Sequence, residues 1–559
     1  MSNIAMVKEQ KSKGCVISLD FFKAYDRVFL GFLVKVLEKM NFGPLFVNWI
    51  QMLHEGATTC FILDSLTASI LVSFSIRQGD PLAMLLYIIY IEPLLNMLER
   101  KLTGLQLRRR IDAMGGLEAY CDDINIVTNN LNDFNIMDVE VGKFERLSGA
   151  ILSRSRKSKV MGFGGWRDKR DWPIPWLSVE KTIKVFGIFI ADNYNEMLRV
   201  NWDHRFRKCQ SSIFSWTSRL FTTLHQRAEI VKTFALSRVY YVASILPIRV
   251  SYVRKFEALI GNFLWKGSFS TLRVAYDELK NKKLEGGLQV PCLLTMSRSL
   301  LTSQCIRLIK SGDPRYVSHI DYWLGGLLCD IVPDMGLGLQ ASRDNPYFCS
   351  LGDCVASVIA NGILSGASIR TVTNKQIYYN MAEFPLPKVV RELPPGINYK
   401  SVWERLYSPY INAEERQILY LLIHDKLPVP ERLYRISIKN DPYCTACPGA
   451  EIGVKEHFFC RCTRTVTAWN WLRSKLLHLS NDIVTVSNTD LLHLFIPRGI
   501  HLQAIIWLLS KYVLFAWSTI FVQETDVKLE KFIGYLKFKF KSEHCITTLT
   551  ARTLDNILQ

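Results

Sequence analysis

Apolar and polar positions change period several times along the chain, and each change marks an element. Leu33, Leu37, Met40 and Val47 or Ile50 recur near 3.6 residues, which predicts helix across residues 30–56. Residues 58–75 are β-rich and break at Asp64-Ser65, the pattern of a hairpin. A long apolar run over residues 82–98 and a periodic run over 131–147, stopped by Ser148-Gly149, predict two helices. Two short β-favouring runs, residues 117–121 and 124–127, enclose Asp122-Asp123 and predict a tight hairpin whose tip carries both carboxylates. Upstream, Ile17-Ser18-Leu19 reads as a strand that ends at Asp20 and turns into a helix carrying Asp26 and Arg27. Beyond residue 196 the text is mainly helical, with further helices expected at 463–479 and 491–521. The fold class is therefore α+β, with the strands gathered in the first third.

Bulk properties narrow the partners. With 559 residues, the chain has room for several domains with sizeable cores, and 49% hydrophobic residues place it among globular chains. A net charge of +18 suits a polyanion, whether nucleic acid or an acidic membrane. Residues 1–14 are largely polar, with Lys8, Lys11 and Lys13, and carry no secretory signature. Glu92-Pro93 and Lys511 interrupt the two most apolar runs, so both read as buried helices and no membrane partner is expected. Fourteen cysteines in such a chain point to a reducing compartment, where thiols pack or bind metal. The expected location is nuclear and cytoplasmic, not secreted.

Adjacent carboxylates repel, and one pKa rises unless a cation lies between them; Mg2+, which takes oxygen ligands, is the usual answer. An Asp-Asp pair is also what a solvated turn carries. Its company decides the matter. The strand-terminal Asp20 in Leu19-Asp20-Phe21-Phe22-Lys23-Ala24-Tyr25-Asp26-Arg27-Val28, the loop Arg77-Gln78-Gly79-Asp80-Pro81-Leu82 and the hairpin Ala119-Tyr120-Cys121-Asp122-Asp123 follow in order within about a hundred residues. Together they resemble motifs A, B and C of the reverse transcriptase palm, and most closely those of LINE-type, non-LTR retrotransposons.

The resemblance implies a right-hand palm that uses two Mg2+ ions, bridged by Asp20 and Asp122 with Asp123 in support. It places Phe21, Tyr25, Arg77, Gln78 and Gly79 around the nucleotide, with Tyr25 as the aromatic gate against a ribose 2′-hydroxyl. The stretch 148–159 resembles motif D, with Lys157 near the departing pyrophosphate; Ser153 stands where the family often has Asn. Val185-Phe186-Gly187-Ile188 resembles motif E, the primer grip. RNA template, DNA primer or target and deoxynucleoside triphosphates are the implied partners. Motif A arrives at residue 20, so residues 1–16 are expected to be a remnant of the fingers, and the upstream endonuclease of such elements is not expected here.

The expected organisation is partial fingers and palm over residues 1–195, a helical basic thumb over 196–310, a connector and linker over 311–435, a zinc knuckle over 436–475 and a helical basic C-terminal region over 476–559. The thumb interleaves the aromatics Trp202, Phe214 and Trp216, which read as core, with Arg205, Arg207, Arg219, Arg227 and Lys232, which suit either phosphate contacts or a solvated face. The clearest linker runs from Pro385 to Gly396, with Pro387, Pro394 and Pro395 inside it. Cys444 and Cys447 form a C-x2-C pair followed by His457, Cys460 and Cys462, a tetrahedral Zn2+ arrangement. Two residues compete for the fourth position. Cys462 gives the H-x4-C spacing of a CCHC knuckle and is preferred over Cys460.

The implied function is RNA-directed DNA polymerisation with reduced activity for want of fingers. The alternatives are an inactive remnant that only binds nucleic acid and a group II intron-like maturase.

Overall fold

A computed structural model of the chain describes residues 2–558, apart from 61–67, 72–74, 78, 107–115, 155–156, 218–222, 266–273, 333–334, 336–344, 365, 367–368, 370, 383, 392–398, 448–450 and 544–547. Contacts divide the chain into two compact units. The first holds Met1–His204, Ser244–Pro247 and Arg298–Ile377; the second holds Arg205–Ala243, Ile248–Ser297 and Tyr378–Gln559. Residues 196–310, read from the sequence as one thumb, contribute to both.

In the first unit the centre is strand β1 (Lys13–Leu19). Strands β2 (Thr58–Thr59) and β3 (Ile70–Leu71) form a separate antiparallel pair; the expected break at Asp64-Ser65 lies outside the described residues. A five-stranded sheet runs in the order β4 (Leu117–Tyr120), β5 (Asp123–Thr128), β1, β6 (Lys159–Gly164), β7 (Ser178–Val179). Strands β8 (Thr182–Val185) and β9 (Ile188–Ala191) make a further hairpin.

Neighbouring residues of a strand face opposite sides, and β1 divides its apolar residues accordingly. Cys15, Ile17 and Leu19 enter a core with Leu33, Leu37, Leu86, Tyr90, Met137 and Val141, while Val16 enters a smaller one with Met161, Phe163 and Ile183.

Helices α1 (Ser2–Glu9), α2 (Leu30–Lys39), α3 (Pro44–His54), α4 (Ala83–Lys101) and α5 (Asn132–Ser148) pack around this sheet. The periodic stretch 30–56 divides in two because Asn41 takes φ +59° and Gly43-Pro44 opens a new helix. Gly149 ends α5 in the left-handed conformation with φ +79°, as its sequence signal predicts. Asp26 and Arg27, expected on a helix, lie on a single 3-10 turn, Tyr25–Arg27.

The N-terminal segment, expected to be a largely polar remnant, is a packed helix. Ile4 and Val7 of α1 join the smaller core, and Ala5 and Met6 join a third one with Leu301, Trp323, Leu324, Leu351 and Val355. The connector region, uninformative as sequence, thus supplies helices Pro314–Leu328 and Pro346–Ala360 to the first unit.

The second unit is helical among the described residues. Helix Ala413–Ile423 packs against helix Leu502–Trp517. Its first turn is fixed by a capping box, in which Asn412 accepts from the Glu415 backbone and the Glu415 side chain accepts from the Asn412 N–H. Residues 491–521 are not one helix: Asn488–Leu492 and Leu502–Trp517 are separate, the latter running on through a wider turn, Ser518–Val522.

Leu502–Val522 is long and apolar enough to cross a membrane, but it is mostly buried in protein. The fully buried Lys511 pairs with Glu415 at 2.9 Å and Glu543 at 3.0 Å, which resolves the charge that interrupted this apolar run.

Candidate functional site

The antiparallel register of β1 and β5 pairs Ser18 with Asn125 and Leu19 with Ile124. Asp20 directly follows Leu19 and Asp123 directly precedes Ile124, and the Asp20 carboxylate acts on that of Asp123. In the β4–β5 hairpin Tyr120 pairs with Asp123, leaving Cys121 and Asp122 as the two-residue turn. The tip therefore carries Asp122 alone; Asp123, expected beside it in the turn, is the first residue of β5. Cys121 takes φ +54°, a left-handed conformation that costs a non-glycine residue on the order of 1–3 kcal/mol and that sharp turns exploit.

The three carboxylates feel one another. Burial pushes the Asp123 carboxyl above its usual range, Asp122 and Asp20 push it further, and Lys184 on β8 pulls it back. Lys184 was not singled out by sequence, because only the fold brings β8 to the hairpin. Phe186 and Gly187 form the β8–β9 turn, with φ +46° and +81°, and the Phe186 ring meets Tyr120 edge-on at 6.4 Å.

Tyr25 stacks on Tyr87 of α4 at 4.9 Å. Its hydroxyl is pushed up to about 12 by burial, with Cys121 and Asp122 adding to the effect, so it lies beside the hairpin tip. Backbone bonds tie this turn to the following loop: Ile76 N–H donates to Tyr25 O at 3.1 Å and Ser75 N–H to Val28 O at 3.1 Å.

Arg77 is exposed and donates to Leu53 O at 3.4 Å; Gly79 takes φ +93° in open space; Gln78 lies outside the described residues. Asp80 Oδ1 accepts from Leu82 N–H at 2.8 Å in the turn just ahead of α4. Phe21 departs from expectation: its side chain is buried in the core, edge-on to Phe144, whereas Phe22 is exposed.

The described residues of 151–154 and 157–158 clasp Asp20 from the other side. Phe21 forms a β-bridge with Leu152, Phe22 N–H donates to Ile151 O at 2.8 Å, and Ser153 N–H donates to Asp20 O at 2.8 Å. Asp20 N–H in turn donates to the buried Ser158 Oγ at 3.2 Å. This stitching sets Lys157 Nζ 3.5 Å from Asp20 Oδ2. That oxygen is shielded from solvent and has no hydrogen-bond partner.

A separate cluster lies in the second unit. The ligand atoms of Cys444, Cys447, His457 and Cys462 all fall within 4.8 Å of one another. Cys444 Sγ is 3.8 Å and Cys447 Sγ 3.6 Å from Cys462 Sγ, and Cys447 Sγ is 3.4 Å from His457 Nε2.

Short local structure builds it. Tyr443 and Ile452 form a β-bridge, Cys444 N–H donates to Glu451 O at 2.8 Å, and a wide turn over His457–Arg461 returns Cys462 N–H to His457 O at 2.7 Å. Cys460 is buried and lies outside the cluster, so the preference for Cys462 agrees with the geometry. Pro448-Gly449, expected to turn the chain between the pairs, lie outside the described residues.

Burial pushes the Cys447 thiol up, but hydrogen bonds from the Thr463 backbone and hydroxyl outweigh it, and the thiol titrates below its usual value. Glu451 Oε2 lies 2.7 Å from His457 Nδ1, the ring nitrogen facing away from the sulfurs. Such a carboxylate fixes the tautomer that presents Nε2 as a ligand. Sequence reading missed Glu451, though an acid between the two ligand pairs is the signal that marks it. Three thiols and one imidazole make a donor set suited to Zn2+.

The basic residues expected to contact nucleic acid have mixed fates. Arg227 is buried, and desolvation lowers its pKa to about 10, so it faces no phosphate; Arg219 lies outside the described residues. Trp202 is fully buried and donates to Pro247 O at 3.1 Å, whereas Phe214 is exposed. On helix Leu529–Ser542, Phe532 and Leu536 are buried while Lys531, Lys537 and Lys541 face solvent.

Comparison with known proteins bears on the first unit most directly. Residues 1–190 match the family model described as reverse transcriptase (RNA-dependent DNA polymerase). A relative in Xenopus laevis, the transposon TX1 uncharacterized 149 kDa protein, is 27% identical over 310 residues. The similarity takes in 53% of this chain and 23% of that relative, so the chain spans under a quarter of its length.

Proposed function

We propose, from the premise that residues 1–190 are a reverse transcriptase domain, that the chain acts as the RNA-directed DNA polymerase part of a LINE-type retrotransposon protein. One observation carries the reading: Leu19 and Ile124 are paired, which brings Asp20 after the one and Asp123 before the other to the same end of the sheet as the hairpin tip bearing Asp122. The donor set is all carboxylate oxygen and includes an orphaned, shielded oxygen on Asp20, which fits a hard divalent cation such as Mg2+. Asp20 and Asp122 would hold two such ions, with Asp123 in support. When bound, the ions stabilise the attacking and leaving oxygens of an in-line phosphoryl transfer.

The chain's own residues position and exclude. Tyr25, braced flat against Tyr87, stands where a ribose 2′-hydroxyl would collide with it. Arg77 and Gly79 offer charge and open backbone to the nucleotide and its template base. Lys157 presents an ammonium group to the triphosphate, and the β8–β9 turn supports the primer. Positioning of this kind contributes much of the rate in well-oriented reactions, roughly 7–11 kcal/mol. The Cys444, Cys447, His457 and Cys462 cluster holds one structural Zn2+ and, with the exposed lysines of Leu529–Ser542, serves RNA or DNA binding.

Primer extension on poly(rA)/oligo(dT) with Mg2+ tests the reading. Asp122→Asn should lower extension by several decades while the circular dichroism of the chain is unchanged, each decade being about 1.4 kcal/mol. Full extension by that variant would refute the assignment. Salt-dependent binding of the template–primer by the unaltered chain, without extension, would leave it a nucleic-acid-binding protein only.

A further inference from the structure

We propose that Lys157 is the resident counter-ion of Asp20 when no metal ion is bound, and that a metal ion enters by exchange with its ammonium group. The inference rests on the reading of Asp20 as a metal ligand given above. Asp20 Oδ2 is shielded from water and accepts no hydrogen bond, yet Lys157 Nζ stands 3.5 Å from it. That separation is too long for a good hydrogen bond and short enough for charge pairing.

Both side chains reach solvent, Asp20 at 41% and Lys157 at 61% exposure, but the backbone holds the two together. Ser153 N–H holds the Asp20 carbonyl and Ser158 Oγ holds the Asp20 N–H, so both ends of the loop carrying Lys157 are fastened to the backbone of its partner. Ser158 is fully buried, whereas the Lys157 side chain is 61% exposed and has room to swing away.

The loop therefore keeps a cation beside an isolated carboxylate oxygen without making it a permanent fixture. Other charges near the carboxylates fall into two groups. Asp122 and Asp123 add repulsion that any cation relieves, and Lys184 acts on Asp123. Among the described residues, Lys157 is the cation paired with Asp20. The consequence is an order of events. An ion that takes Asp20 Oδ2 releases the ammonium group, which then becomes available to the triphosphate. Metal loading and readiness to meet the substrate are coupled through one side chain.

The test is direct Mn2+ binding to the full chain, followed by the electron paramagnetic resonance of free Mn2+, for the unaltered protein and for Lys157→Met, Lys157→Arg, Asp20→Asn and Asp20→Asn/Lys157→Met. Lys157→Met should tighten binding roughly two- to fivefold at low ionic strength, the scale of an exposed ion pair, with the gain shrinking as salt rises. Lys157→Arg, which keeps the charge, should bind like the unaltered chain, and the Met substitution should add nothing in the Asp20→Asn background.

Equal or weaker binding by Lys157→Met, with Asp20→Asn clearly weakened, would overturn the exchange while sparing Asp20 as a ligand. Binding undiminished in Asp20→Asn would overturn the ligand reading itself. A gain of the same size with and without Asp20 would assign the effect to long-range charge and overturn the exchange.

Discussion

Glu451→Gln is the most discriminating perturbation of the Cys3His cluster, because it leaves all four ligands in place. Its carboxylate lies 2.7 Å from His457 Nδ1, a charge-assisted contact, and its side chain is 56% exposed. The exposure means that substitution removes no core packing, and the Cys444 N–H bond to the Glu451 carbonyl survives because it is made by backbone. Loss of a carboxylate that orients a metal-bound histidine costs about 10–100-fold in metal affinity. Solvent screening and the acceptor oxygen that glutamine retains place this variant near the lower limit, about tenfold or roughly 1.4 kcal/mol. Glu451→Ala, which removes the acceptor as well, should fall nearer the upper limit.

The assay is competition for zinc with a chromophoric chelator, using the intact chain. Cys444→Ser in parallel should abolish tight binding, since structural zinc in small finger peptides contributes roughly 10–16 kcal/mol. If Glu451→Gln and Glu451→Ala bind zinc as tightly as the unaltered chain, the carboxylate does not orient His457. If Cys444→Ser does so too, the cluster is not a zinc site.

Two further outcomes follow from contacts elsewhere. Tyr25→Ala should admit ribonucleotides more readily with little change toward deoxynucleotides, read as the ratio of kcat/KM in single-nucleotide extension; an unchanged ratio would reduce Tyr25 to a packing partner of Tyr87. Lys511→Met leaves Glu415 and Glu543 buried or half-buried without their cation and should destabilise the second unit by about 3–5 kcal/mol in denaturant unfolding, where a loss under 1 kcal/mol would refute the account.

Sequence carried the chemistry further than the geometry. Asp20, Asp122 and Asp123 stood out because a strand end, a Gly-Pro loop and a hairpin follow in the order of the reverse transcriptase motifs; the apolar runs alone marked only the strand end and the hairpin. Which aspartate occupies the turn was not readable, because that depends on a one-residue choice of register which apolar flanks on both sides do not constrain. Cys462 was preferred over Cys460 because its spacing from His457 is that of a CCHC knuckle, while the sequence left the choice open; the wide turn at His457–Arg461 brings Cys462 to the cluster and leaves Cys460 outside it.

Phe21 was placed by the resemblance and Arg227 by helical spacing, and neither signal reports burial: Phe21 lies edge-on to Phe144 in the core and Arg227 is desolvated. The break between α2 and α3 was signalled by Gly43-Pro44 and passed over in favour of periodicity. Lys184 and the packing of 314–360 rest on tertiary contacts that no local pattern announces.

Helix α1 has a consequence in time. Its eight residues are too few to hold a helix in water alone, so its order depends on the surfaces it covers. One of those surfaces is made by Leu301, Trp323, Leu351 and Val355, some three hundred residues downstream. At synthesis rates of about 5–20 residues per second, Ala5 and Met6 must wait roughly 15–60 s after leaving the ribosome before that surface exists. For that interval the face bearing Ala5 and Met6 stays uncovered on the nascent chain, within reach of chaperones and of other copies emerging nearby, even after Ile4 and Val7 have found Val16 and Phe163.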